Sequence, residues 1–103
     1  AEVPKCVEIA KLDSNDPKLL SKLLAERGLN KILWECGPRL ASSALKNGCI
    51  QEIITFIAPK ILGGANAMTP LGDLYFEEMN EVYKLKDSKI KILNGDIYIR
   101  NKL

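Results

Sequence analysis

Within nine residues this chain sets out one acid, a glycine-proline step and two serines: Glu35, Gly37, Pro38, Ser42 and Ser43. A short apolar run, Lys31 to Trp34, precedes the acid, and Gly37-Pro38 opens a helical pattern two residues after it. The acid then sits at the carboxyl end of a strand, where open α/β sheets bind ligands. Beside it lies a helix start whose first N–H groups lack partners and whose dipole is positive, a setting that suits phosphate. A carboxylate there can stabilise developing positive charge or handle a proton.

The residues after Pro38 strengthen the cradle. Ala41, Ser42, Ser43 and Ala44 are small, so the helix start stays unobstructed, and both serine hydroxyls can donate to phosphate. Leu40 lies in the same first turn. Arg39 suits a further phosphate, although an arginine there is more often simply solvated. A plainer reading stands beside each. Glu35 can be a strand-end acid facing the helix dipole, and Gly37-Pro38 an ordinary helix start.

Much other chemistry is excluded. There is no histidine, so no histidine-based triad or common zinc site can be built. Cys6, Cys36 and Cys49 have unrelated spacings, which reads as reduced thiols in a cytoplasmic protein. Cys36 is near the helix start but has no basic partner in sequence, which argues against a catalytic thiol. The net charge of +2 is small and the lysines are scattered, so nucleic acid is not an expected partner. No apolar run approaches the roughly 20 residues that span a bilayer. The opening Ala1-Glu2-Val3-Pro4 shows no secretory leader pattern.

The elements that must position these residues follow from pattern. Val7–Ala10 reads as a short strand. Asp16-Pro17 caps a helix whose Leu19, Leu20, Leu23 and Leu24 form one face, and Gly28 stops it. Then come a strand over 31–35, a helix over 38–47 ended by Gly48, and a nearly continuous apolar strand over 52–58. Such a run suits a sheet buried on both faces, and strand, helix and strand predict a right-handed βαβ unit. Residues 59–72 are irregular, and 76–83 read as a short helix or turn. Lys89–Ile92 and Ile97–Ile99 flank Asn94-Gly95, the signature of a tight hairpin.

Taken in order, the stretch from Gly28 to Leu45, Glu52–Ala58, Ala58-Pro59-Lys60-Ile61-Leu62-Gly63-Gly64, Pro70-Leu71-Gly72 and Asn94–Arg100 resemble one family. It is the C-terminal part of the reductase domain of the bifunctional riboflavin-biosynthesis deaminase/reductases. The resemblance covers residues 7–103. It implies an α/β, partial dihydrofolate-reductase-like domain: a mixed, mostly parallel sheet with flanking helices and a C-terminal hairpin. It also implies NADPH-dependent reduction of the ribosyl group of 5-amino-6-(5-phosphoribosylamino)uracil to ribityl. Glu35 would contact this phosphorylated substrate, and Gly37, Pro38, Arg39, Leu40, Ala41, Ser42 and Ser43 would wrap the NADPH phosphates. Homodimers are implied, as is a deaminase domain on the same full-length chain.

The sequence departs from that family in two respects. Cys36 stands where the family often has a glycine. Its Cβ restricts a turn at which a cis Cys36–Gly37 bond is one possibility, and a trans bond with Cys36 as a small apolar filler is the favoured one. The whole of 1–103 corresponds to the C-terminal portion of a reductase domain, without its N-terminal half or a deaminase domain, so a fragment inactive alone is expected. Two other readings remain: a non-catalytic nucleotide-binding or assembly module of the same fold, and a dihydrofolate reductase relative acting on a pteridine.

Overall fold

Residues 2–103 are described in a computed structural model of the chain. Asp16 starts the first helix, α1 (Pro17–Glu26), by accepting the Lys18 N–H at 2.9 Å, and Pro17 occupies the first turn. The second, α2 (Pro38–Lys46), has Gly37 as its N-cap, with no side chain capping it. Both helices end in the same way. Gly28 and Gly48 take φ of 80° and 68°, donating to Ala25 and Leu45, while the next residues, Leu29 and Cys49, donate back to Leu24 and Ala44. This double closure satisfies carbonyls that the helix leaves open, and only glycine enters that conformation without cost. The two helices touch each other.

Three strands complete the fold: β1 (Glu52–Ile57), β2 (Lys86–Leu93) and β3 (Asp96–Lys102), in the order β1-β3-β2. The hairpin turns at Asn94-Gly95, with φ of 50° and 86°, as its sequence predicts. Both pairings are antiparallel, with Phe56 opposite Tyr98, and Ile90 opposite Ile99. On one face the Phe56 and Tyr98 rings meet edge to face at 5.4 Å, and the Arg100 guanidinium reaches a Glu52 carboxylate oxygen at 2.6 Å. The register puts Ile53, Thr55 and Ile57 on the other face, with Ile90, Ile92, Ile97 and Ile99. Asn101 is buried on that face and donates to the Ser88 hydroxyl.

The mostly parallel sheet is therefore corrected to a three-stranded antiparallel one. Residues 31–35 carry no regular secondary structure and are alternately exposed and half-buried, and no described strand lies beside them to complete a ladder. Residues 7–10 also lack a ladder, and the expected βαβ unit is not formed. An apolar alternating segment becomes a strand only when a neighbour takes its N–H and C=O groups. Residues 76–83 form turns and bends, with the Phe76 and Tyr83 rings 5.6 Å apart. No cis peptide bond occurs among the described residues, so the Cys36–Gly37 bond is trans, and Cys36 is half-buried. β1 is an edge strand with Ile54, Phe56 and Ile57 exposed, not a strand buried on both faces.

The buried apolar side chains centre on α2: Ala44 is fully buried and Leu45 is 5% exposed. Accessible surface is 9180 Å² for 11.4 kDa. A compact monomer of that mass exposes about 5,800 Å². Part of the difference lies on the isoleucine face, where Ile90 and Ile92 are 66% and 72% exposed, and part in the irregular segment, where Ile61, Leu62 and Met68 are 101%, 94% and 87% exposed.

Candidate functional site

The start of α2 is open outward and tied down inward. Gly37 is extended (φ −70°, ψ 169°), and the space where a Cβ would sit is empty to 4 Å. Pro38 has no N–H. Ala41 is the first residue to donate within the helix, to Gly37 at 3.0 Å. The Arg39 and Leu40 N–H groups precede it and have no helical acceptor. Arg39 is exposed and makes no ion pair among the described residues.

Inward, one carbonyl collects two donors beyond its helical partner, the Ser42 N–H. The Pro38 oxygen accepts the Ser42 hydroxyl at 2.8 Å and the Gly72 N–H at 3.1 Å. The segment around Gly72 thus lies across the first turn of α2 as a strap. Lys46 fastens its far end, donating to the Asp73 carbonyl at 3.2 Å and lying 4.9 Å from the centre of the Tyr75 ring. Tyr75 itself takes φ of 56°, held by its N–H on the Asp73 carboxylate at 2.7 Å.

Two open cavities flank α2. One, about 450 Å³, lies toward the N-terminal segment and is lined by Leu12, Asp16, Trp34, Arg39, Leu40 and Ser43 among others. The second, about 490 Å³, lies toward the strap, against Arg39, Ser42, Ser43, Lys46, Asp73 and Tyr75. Arg39 and Ser43, one helical turn apart, border both. Two cations and one acid face the second cavity, an arrangement that favours anions.

The sequence-derived residues divide accordingly. Arg39, Leu40, Ser42 and Ser43 border cavities, whereas Glu35, Gly37, Pro38 and Ala41 border neither. Glu35 is exposed, two residues before the helix. Ser42 needs correction: it is 6% exposed and its hydroxyl proton is committed to Pro38, so it is not free to donate to a phosphate. Ser43 is half-buried at the cavity edge and makes no side-chain hydrogen bond to the described residues. Sequence reasoning missed Trp34 as a cavity wall, and Lys46, Asp73 and Tyr75 as the opposite wall. Pro70 and Gly72 marked a loop, but nothing local said that it lies over α2.

Residues 3–99 match the RibD C-terminal domain. The chain belongs to that family. It is 41% identical over 95 residues to the chloroplastic riboflavin biosynthesis protein PYRR of Arabidopsis thaliana, covering 92% of this chain and 16% of that protein. It is 37% identical to the riboflavin biosynthesis protein RibD of a Synechocystis strain, over 87% of this chain and 24% of the relative. The solved structure of Acinetobacter baumannii RibD superposes with a TM-score of 0.72 at 30% identity, over 93% of this chain and 25% of that one. The RibD C-terminal domain chain thus spans a quarter or less of the length of these relatives, and its likeness to RibD in fold supports the α/β, dihydrofolate-reductase-like expectation.

Proposed function

We propose that this chain supplies the phosphate cradle and a substrate-facing carboxylate to an NADPH-dependent reductase of riboflavin biosynthesis. The substrate is 5-amino-6-(5-phosphoribosylamino)uracil, whose ribosyl group becomes ribityl. The observation that carries this reading is the family match over residues 3–99, which includes the whole uncapped start of α2. The residues there fit a phosphorylated cofactor. The Arg39 and Leu40 N–H groups, the exposed Arg39 guanidinium and the Ser43 hydroxyl offer donors on one end of one helix, and the exposed Gly37 leaves the approach open. NADPH supplies the hydride. Glu35 holds negative charge where positive charge develops at the sugar C1′ and helps manage the proton.

The uncovered isoleucine face and the partial span of the relatives fit a chain that works inside a larger assembly. In this reading that assembly includes a deaminase domain on the same polypeptide and a second copy of the enzyme.

Trp34 is the only tryptophan and lines a cavity beside α2, so its fluorescence reports binding. NADPH added to the purified protein is expected to quench it saturably. Ser43→Glu, which brings a negative charge to the phosphates, is expected to weaken binding about tenfold or more. Unchanged affinity in Ser43→Glu removes the α2 cradle from the proposal.

A further inference from the structure

We infer that Ser42 and Gly72 are positioning residues for the phosphate cradle, acting through the Pro38 carbonyl that both of them grip. The inference rests on the NADPH reading above and adds to it what aims the donors. The Pro38 C=O and the Arg39 N–H belong to one planar, trans peptide unit, so they point in opposite directions. Whatever fixes the oxygen fixes the direction of the first free N–H of α2. Beyond its helical partner, the Ser42 N–H, two donors hold it in place, the Ser42 hydroxyl at 2.8 Å and the Gly72 N–H at 3.1 Å. Both bonds also polarise that amide, which makes its N–H a better donor.

The glycine is needed for space. A Cβ on Gly72 would lie 3.1 Å from the Ser42 hydroxyl oxygen and 3.5 Å from the Pro38 oxygen. The first distance is too tight for an undisturbed contact and the second is ordinary. The backbone at Gly72 is not left-handed, so alanine there meets no conformational penalty. Gly72→Ala therefore pushes on one atom, the Ser42 oxygen. The strap keeps its other ties, Lys46 to the Asp73 carbonyl and to the Tyr75 ring.

The test compares Gly72→Ala, Ser42→Ala and the double variant in the purified protein. It has two readouts: NADPH affinity, and the amide resonance of Arg39 recorded without cofactor. Gly72→Ala is expected to move the resonance and weaken NADPH binding about tenfold, as displacements below an ångström at a binding geometry do. Ser42→Ala loses one grip and is expected to weaken binding about threefold, less than Gly72→Ala. The double variant removes the oxygen that the new methyl strikes. It is expected to return to the affinity of Ser42→Ala, a rescue that independent destabilisations cannot give. A double variant weaker than either single one overturns the inference. So does an Arg39 resonance unmoved in Gly72→Ala, or a moved one with parental affinity. If Gly72→Ala does not fold, Ser42→Ala alone decides by the same resonance, which must move. Failure of the parent protein to bind NADPH overturns the cradle reading, while the resonance still judges the positioning.

Discussion

The start of α2 and the three-stranded sheet are ordered by different means. The helix start depends on contacts distant in sequence: a strap that reaches the Pro38 carbonyl, and Ala44 and Leu45 buried beneath. The sheet rests on its ladders, with β3 pairing on both sides, and leaves a stripe of isoleucines uncovered. The backbone hydrogen bonds of a ladder survive changes to exposed side chains, whereas a helix positioned by packing is sensitive to the atoms under it. The site is therefore the part of this molecule that mutation reaches most easily.

The largest effect expected from this contrast is on stability. Leu45→Ala deletes a side chain that is 5% exposed, and should cost about 3 kcal/mol. Ile92→Ala on the sheet, 72% exposed, should cost well under about 1 kcal/mol. Urea denaturation followed by circular dichroism measures both. Equal losses would mean that the isoleucine face is as closely packed as the underside of α2, and the contrast would disappear.

Glu35→Gln sharpens the comparison from the side of activity. Glu35 is exposed and borders neither cavity, so removing its charge should leave the melting temperature unchanged. If it stabilises charge on the substrate, kcat/KM should fall about a hundredfold in the active enzyme. A parental kcat/KM would leave Glu35 as an ordinary acid beside a helix dipole.

What could be read from the sequence is the part set by neighbours along the chain. Asp16-Pro17, Gly37-Pro38, Gly28, Gly48 and Asn94-Gly95 each dictate a local conformation, and each is found in its place. The failures concern partners. Residues 31–35 have the pattern of a strand and alternate in exposure, but the ladder that would make them one needs a neighbour that pattern cannot supply. The apolar run of β1 resembled a central strand, yet it pairs on one side only. Ser42 and Ser43 were equivalent in sequence. Helical phase and the strap separate them, turning Ser42 toward Pro38 and leaving Ser43 at the cavities. The assignment of NADPH and of Glu35 came from family resemblance, since small residues at a helix start fit many anions.

The smallest effect belongs to the sheet surface. Arg100 places Nε and Nη2 at 2.8 and 2.6 Å from the same Glu52 oxygen, and that hydrogen bond and charge hold the guanidinium above its ordinary titration range. A group whose pKa is raised by folding contributes stability below its unfolded value and loses it as pH rises through the folded one. For an arginine that window is strongly alkaline, so the contribution of Arg100 is constant around neutrality. Both side chains are a third or more exposed, so solvent and salt screen the pair. Glu52→Gln keeps the size and removes the charge. It should lower the melting temperature only slightly at low ionic strength, by the same amount at any pH between about 7 and 9. In about 1 M salt, where the Debye length is about 3 Å, the difference should vanish. A deficit that persists there would mean that this ion pair is shielded from solvent, and that the sheet too depends on a particular side-chain contact.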